Sequence, residues 1–579
     1  MPAMKMACAI GSDQVSEAIA ICRQKLSADP HCPKMQHSLA QLLDSRLDSS
    51  RPDRDQVSEV IGLYRSVGQP STEVEEQRLP PPKVRFESLV RAGTISRDAL
   101  FDTKQAISCF ISASEVEGID DSTLTAAFEQ VMPLLLSKEE TIEDIASGPI
   151  STDGVELQSI ANDGRHLDNY LQTALRLCEY IAAKCPNETL VDEFKGATLR
   201  KGKQPLLAYQ SYQNAMDKAR QQYIDSTQID SEQYNLKLYN FIRASILASA
   251  AGREAGLDSD KCLSLLEEAE SATSNAMKYL DDQDATVKNA IYEKLTDLYN
   301  NMGIIEKKRE NYNQAYLCFR KALEIKPDDG HALVQLASIE DKTIGHDFDT
   351  ISNVKSLDAE YVSALFDGYS TRFESELVDK LQYKGHAFVH SAMKTALAEL
   401  NKTPSSVDKI IDLGCGTGLL GDIIANEMPS TTLIGVDLSQ RMTEVSRARK
   451  TAGGKSVYST VIHGDAIEYL ATLDRNSCDC ILASDVFIYI GDISQVLYES
   501  SKCLVDSGIV AFTVESLDDG TSESSGLKLL KSGRFGHSKK YIEQVAADNG
   551  FKLLSWDDCV LRQQGGADVN GATVVLVKA

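Results

Sequence analysis

The sequence lacks any apolar run long enough to cross a bilayer, which excludes a spanning helix on the usual requirement of about 20 such residues. It lacks a basic surplus too: 60 Lys and Arg stand against 85 Asp and Glu, a formal net charge of −25. Binding a phosphate backbone draws on counterion release by a basic surface, so nucleic acid is disfavoured as a partner. There is no cysteine framework either. The 13 cysteines are scattered, and Cys22, Cys109, Cys178, Cys262 and Cys318 lie inside apolar helical patterns, where reduced thiols act as small hydrophobes. An odd number without a framework fits a reducing compartment, and a cytoplasmic location is expected. Cys478 and Cys480, the closest pair, have no partnering histidines, so no metal site is expected. Near the N-terminus, Lys5 and a short Ala-rich stretch are too weak for a signal peptide.

What is present is ordinary globular composition, 42% hydrophobic and 25% charged, in a chain of 579 residues. That length exceeds one core and suggests roughly two to four domains. Residues 7–46 show a helical pair, with Val15, Ala18, Ile19, Cys22 and Leu26 at helical spacing, a break at Pro30, and Met35, Leu39, Leu42 and Leu43 resuming. The stretch 66–97, with Pro70, Pro80 to Pro82 and many charges, reads as a linker or mobile loop. Helical periodicity returns at 99–114 and 124–136, and a polar break follows at 137–165. From about 167 to 337 helices follow one another with little strand-like alternation.

Within that array Tyr299, Met302, Gly303, Tyr312, Ala315, Phe319, Ala322 and Pro327 hold the spacings of a helix-turn-helix repeat of about 34 residues. Residues 1–340 therefore resemble a tetratricopeptide-repeat solenoid, in which each repeat buries an apolar face only against its neighbours. Such a surface serves protein partners, or else is a packing platform for the domain that follows. Residues 341–358 are polar and read as an interdomain linker.

Residues 359–579 change character. From 407 strands alternate with helices: strands at 408–413, 431–438, 457–464, 478–486 and 508–516, helices at 418–427, 440–450, 492–504 and 538–549. This period predicts a parallel, doubly wound α/β sheet. The last two runs, 551–561 and 572–577, are too close for a crossover helix and should pair antiparallel.

The first strand runs into Asp412-Leu413-Gly414-Cys415-Gly416-Thr417-Gly418. Glycines here let the backbone turn tightly under a nucleotide-like ligand. An acid follows each of the first four strands: Asp412, Asp437, Asp465 and Asp485. Asp437 lies about twenty residues beyond the turn, where a carboxylate accepts ribose hydroxyls. The dinucleotide fingerprint needs its third glycine where Leu419 stands, and here that glycine is one residue early, at Gly418.

This spacing resembles the D-x-G-x-G-x-G motif of class I S-adenosylmethionine-dependent methyltransferases, a Rossmann-like fold with a reversed last strand. Leu365-Phe366-Asp367-Gly368-Tyr369, Arg372-Phe373, Ser484-Asp485-Val486-Phe487-Ile488-Tyr489 and Gly533-Arg534-Phe535-Gly536-His537-Ser538 extend the resemblance to predicted methyltransferases carrying tetratricopeptide repeats, over roughly 299–579. The resemblance implies S-adenosylmethionine as cofactor. It implies a cofactor site at Asp412, Gly414, Cys415, Gly416, Gly418, Asp437 (ribose), Leu438, Asp465 and Ala466 (adenine), and Ser484 facing the methyl donor. Asp485, Tyr489 and His537 are candidate general bases, and His537 has a plainer role as a loop-fixing hydrogen-bond partner. Tyr361, Tyr369, Arg372 and Arg534 are candidate lid or substrate contacts, with simple packing as the alternative. The Asn/Asp-Pro-Pro-Tyr type segment of amide and nucleobase amino methyltransferases is missing, so a small-molecule acceptor is expected ahead of a protein docked on the repeats. A repeat-based adaptor with an inactive module is the competing reading.

Overall fold

A computed structural model describes residues 12–47, 54–69, 79–98, 103–114, 116–137, 169–226, 231–276, 285–343, 348, 351, 354–370, 373–374, 382–517, 526–564 and 567–579. The chain divides into two compact units, Met1–Ile291 and Tyr292–Ala579. No described helix is long and apolar enough to cross a membrane.

The described part of the first unit is helical, from Ser12–Ala28 to Ser259–Ala276. Each helix packs chiefly on its neighbours in sequence, the hallmark of a repeat array. Several local cores result: Val57, Val60 and Ile61 with Ala92 and Ile95 in one, Phe110, Phe128 and Leu135 with Leu177 and Ile181 in another. The stretch expected as a linker at 66–97 is only partly so. Pro82 opens a helix, Pro82–Asp98, in which Phe86, Leu89, Ala92 and Ile95 are buried. Proline suits the first turn, where its missing N–H is not needed, so the proline run marks a helix start. Most of the expected break at 137–165 falls outside the described residues.

The second unit opens inside the helix Ala285–Lys308, which pairs with Tyr312–Ile325 as one repeat. At Gly303 the two helices meet closely: a Cβ there would stand 2.5 Å from the Phe319 ring. Phe319, Leu333 and Leu336 then share a core with Leu527, Leu529 and Phe535 of the sheet domain. The expected linker at 341–358 belongs to this core, since Ile351 and Leu357 are buried in it. The compact unit thus begins before 359 because the repeat's apolar face is covered by the sheet domain's own side chains, each contributing about 1.5–3 kcal/mol when fully buried.

The sheet comprises β1 (Lys409–Leu413), β2 (Thr432–Asp437), β3 (Thr460–His463), β4 (Cys478–Ala483), β5 (Leu504–Leu517), β6 (Leu527–Leu529), β7 (Phe535–Ser538), β8 (Phe551–Gln564) and β9 (Ala567–Lys578). Its order is β3-β2-β1-β4-β5-β7-β6, with β9 pairing both β5 and β8. β1 to β5 are parallel, while β9 runs antiparallel to β5 from Ile509↔Val577 to Glu515↔Gly571, the reversed last strand. β6 and β7 and the short helix Ala466–Ala471 are additions to the expected elements. Adjacent residues face opposite cores: Ile410, Cys480, Leu482 and Ile509 pack with the helices Gly385–Glu399 and Leu419–Glu427, whereas Ile411, Ile481, Ala483 and Val510 pack with Ser494–Cys503 and Lys539–Asp548. Burial on both faces explains the uninterrupted apolar runs.

Candidate functional site

Strand order reverses between β1 and β4, which opens a crevice at their C-terminal ends. The turn after β1 fills one side. Gly414, Gly416 and Gly418 have φ of +60°, +54° and +92°, the left-handed region that glycine tolerates without cost. A Cβ on Gly414 would stand 2.4 Å from Val486 Cγ2, so the turns after β1 and β4 touch here. At Gly416 a Cβ would meet, among the described residues, only the Phe373 ring, at 3.9 Å, which leaves room among them in front of the turn.

Asp437, at the end of β2, accepts hydrogen bonds from the backbone N–H of Gly416 (2.8 Å) and of Ser439 (2.8 Å). These fix the carboxylate at the turn and leave lone pairs for hydroxyl groups. Burial lifts its pKa to about 6 against the pull of those two donors. Asp412 lies beneath the turn: it is 1% exposed and accepts the Tyr458 hydroxyl at 2.6 Å, and burial lifts its pKa to about 7. The Cys415 thiol is buried 3.7 Å from Ser446 Oγ, and burial raises its pKa. Asp465 caps the helix Ala466–Ala471, accepting from the N–H groups of Ile467 and Glu468 at 2.7 and 3.0 Å, while Ala466 packs against the core.

The helix Ala359–Tyr369 lies across this rim. Ser363 Oγ donates to the Leu438 carbonyl, and Asp367 accepts from Ser439 Oγ and the Arg441 N–H, so the helix is tied to the segment that follows β2. Glu374 pairs with Arg449 beside the glycine turn. Tyr361 packs on Gly330 and His331 of the repeat. Of the other expected lid residues, Arg372 and the side chain of Tyr369 fall outside the described residues.

On the β4 side, Ser484 meets the Tyr383 hydroxyl. Asp485 has φ +58°; its N–H donates to Thr513 Oγ1 (2.9 Å), and its carboxylate accepts from Thr513 and from Arg562 (3.0 Å). Arg562, 1% exposed, also pairs with Glu515, and Arg534 stands 4.0 Å from Glu515 and 3.4 Å from the Tyr489 hydroxyl. Asp485 therefore belongs to a buried ion-pair network. His537 is in strand β7, fully buried, with Nε2 donating to the Gly491 carbonyl at 2.8 Å, and burial lowers its pKa to about 4. That is the loop-fixing position. Tyr458, Arg562, Glu515, Tyr383 and Asp367 complete the site. Each gains its role from partners distant in sequence, and only Asp367 stood inside a recognised motif.

A doubly wound sheet with a glycine-lined turn at its switch point, faced by a fixed aspartate after β2, defines a Rossmann-like domain for a nucleoside-type cofactor. Residues 411–512 match the model of a methyltransferase domain, and residues 296–329 that of a tetratricopeptide repeat. The cofactor of this domain class is S-adenosylmethionine. Similar proteins include the ribosomal protein L11 methyltransferase of Thermotoga neapolitana, 29% identical over 25% of this chain and 52% of the relative. Others are the malonyl-[acyl-carrier protein] O-methyltransferase of Bacillus cereus (25% identical; 23% of this chain, 48% of the relative) and the trans-aconitate 2-methyltransferase of Streptomyces coelicolor (27%; 32% and 57%). The chain spans about half the length of these curated relatives. Magnesium protoporphyrin IX methyltransferase from Synechocystis, solved with S-adenosylhomocysteine, aligns at 17% identity over 38% of this chain and all of its own, with a TM-score of 0.30.

The residues fit that cofactor. The open cradle at Gly416, the fixed carboxylate of Asp437 and the buried Thr417 Oγ1, which has no hydrogen-bond partner, offer shape, acceptors and an unsatisfied polar atom at one turn.

Proposed function

We propose that the protein is an S-adenosylmethionine-dependent methyltransferase acting on a small molecule, with its helical repeats serving a protein partner. The observation that carries this reading is the glycine turn bonded to Asp437 at the switch point of the sheet. The bound sulfonium would supply an activated methyl group. The chain's own share is orientation and exclusion of water: Asp437 holds the ribose, Gly414 and Gly416 allow close backbone approach, and the helix Ala359–Tyr369 with Phe373 covers the turn. The adenine end would lie by Leu438, Asp465 and Ala466, and Tyr361, Tyr489 and Arg534 would line the acceptor side, where Arg534 stands 3.4 Å from the Tyr489 hydroxyl. The relatives' names cover a small acid, a carrier-bound acyl group and a ribosomal protein, so they support methyl transfer more strongly than any one acceptor.

Incubation with labelled S-adenosylmethionine and fractionated cell extract tests the reading. Label entering a low-molecular-weight fraction supports it, and label entering protein alone turns the choice to a protein acceptor. That second reading draws on one observation, the core shared by the repeat helices and β6–β7, since a partner bound on those helices would sit on the unit that holds the cofactor turn. Partners captured without transfer to any fraction would leave the adaptor reading.

A further inference from the structure

His386 stands beside the β4 rim of the site outlined above, next to the tyrosine that meets Ser484, although nothing in the sequence singles it out. It lies in the first turn of the helix Gly385–Glu399, half-buried, with its ring 5.4 Å from that of Tyr383, whose hydroxyl meets Ser484 at the end of β4. The charged groups acting on it are Asp485 on the β4 side and Arg449 and Glu374 beside the glycine turn. Through Tyr383 it is linked to Ser484, at the end of the strand that faces the glycine turn. Its Nδ1 is shielded from solvent and has no hydrogen-bond partner. A buried, unsatisfied nitrogen is costly, and the cost is relieved when a ligand brings a donor to it. Of the nominated bases, Asp485 is paired with Arg562, the Tyr489 hydroxyl meets Arg534, and His537 is fully buried in β7 with Nε2 on the Gly491 carbonyl.

We infer that His386 is the proton-accepting residue of the transfer, and that the acceptor is a hydroxyl or neutral amine compound. This rests on the methyltransferase reading. As a lone pair on the acceptor's oxygen or nitrogen forms the bond to the methyl carbon, the carbon–sulfur bonding pair returns to sulfur. The products are a neutral thioether and the methylated acceptor, and the acceptor's proton passes to His386. The positive charge moves from sulfonium to imidazolium, which the Asp485 carboxylate favours. Burial and Arg449 keep the free imidazole neutral, the form that can receive a proton.

The test is the ring-nitrogen NMR titration of His386 in the full chain, assigned with His386→Asn, in complexes with S-adenosylhomocysteine and with S-adenosylmethionine. A single added charge beside a half-buried histidine lowers its pKa by about one unit, so the sulfonium complex should titrate that much lower than the thioether complex. Identical titration in two well-formed complexes overturns the role of His386 while leaving the cofactor reading intact. Absence of binding by calorimetry overturns both. In the labelled-donor assay, His386→Asn should retain S-adenosylhomocysteine affinity while transfer falls about 100-fold or more, the scale of general-base catalysis. Undiminished transfer in that variant also rejects the inference.

Discussion

Replacing Gly414 by alanine probes the geometry on which the site depends. Two costs arise from one methyl group. The residue must hold φ +60°, which costs an L-residue about 1–2 kcal/mol. The new Cβ also stands 2.4 Å from Val486 Cγ2, and forcing a methyl into packed surroundings costs about 1–3 kcal/mol. Gly414→Ala should therefore destabilise the sheet unit by about 2–5 kcal/mol. Only the second cost depends on Val486. Its Cβ would lie at an ordinary 3.5 Å, so in a Val486→Ala background the glycine replacement should cost only the conformational part, about 1–2 kcal/mol. The assay is denaturant unfolding of the four proteins of this double-mutant cycle, following the transition that S-adenosylhomocysteine shifts. A coupling of about 1–3 kcal/mol is expected. An equal loss in both backgrounds, or no loss at all, would refute the contact between the turns after β1 and β4.

Gly303→Ala should lower the thermal midpoint, because the gain in helix propensity, about 1 kcal/mol, is outweighed by a Cβ 2.5 Å from the buried Phe319 ring; a higher midpoint would show that the two helices do not meet there. Arg562→Met leaves Asp485 and Glu515 buried without their shared cation and should cost about 3–5 kcal/mol in chemical denaturation, partly recovered by adding Glu515→Gln. No loss would mean that the network is open to solvent. Because Asp412 titrates at about 7 in the folded chain, above its ordinary 3.8, its contribution to stability is fully present below the lower value and lost as pH rises through the higher one. Asp412→Asn should flatten that decline between pH 4 and 8, and an unchanged pH profile would remove the buried carboxylate as its cause.

The parts legible in sequence were those written in local periodicity. Ile410 and Ile411, or Cys480 and Ile481, pack on opposite faces of the sheet, so a two-sided strand leaves an unbroken apolar run. Gly414 to Gly418 and Asp437 carry their meaning in spacing alone, and the structure bonds them together. Elements too short for a period were not legible: β6 and β7, of three and four residues, gain their place from Phe535 and Leu529 packing on the repeat. Ile351 and Leu357 are isolated apolar residues in polar text, and only the repeat's core shows why they are there. Arg562 sits in a strand and finds its carboxylates 77 and 47 residues away, contacts that no window along the chain can contain. His386 is likewise defined by Tyr383, Asp485, Arg449 and Glu374 jointly.

The most direct measurement is calorimetric titration of S-adenosylhomocysteine into the wild-type chain and into Asp437→Ala. The wild type should bind with one site. Affinity should weaken as pH falls through about 6, because the neutral carboxyl offers the ribose fewer acceptors, and Asp437→Ala should lose about tenfold or more along with that pH dependence. Wild-type binding too weak to detect, or an Asp437→Ala protein with wild-type affinity, would contradict the assignment of this crevice to S-adenosylmethionine.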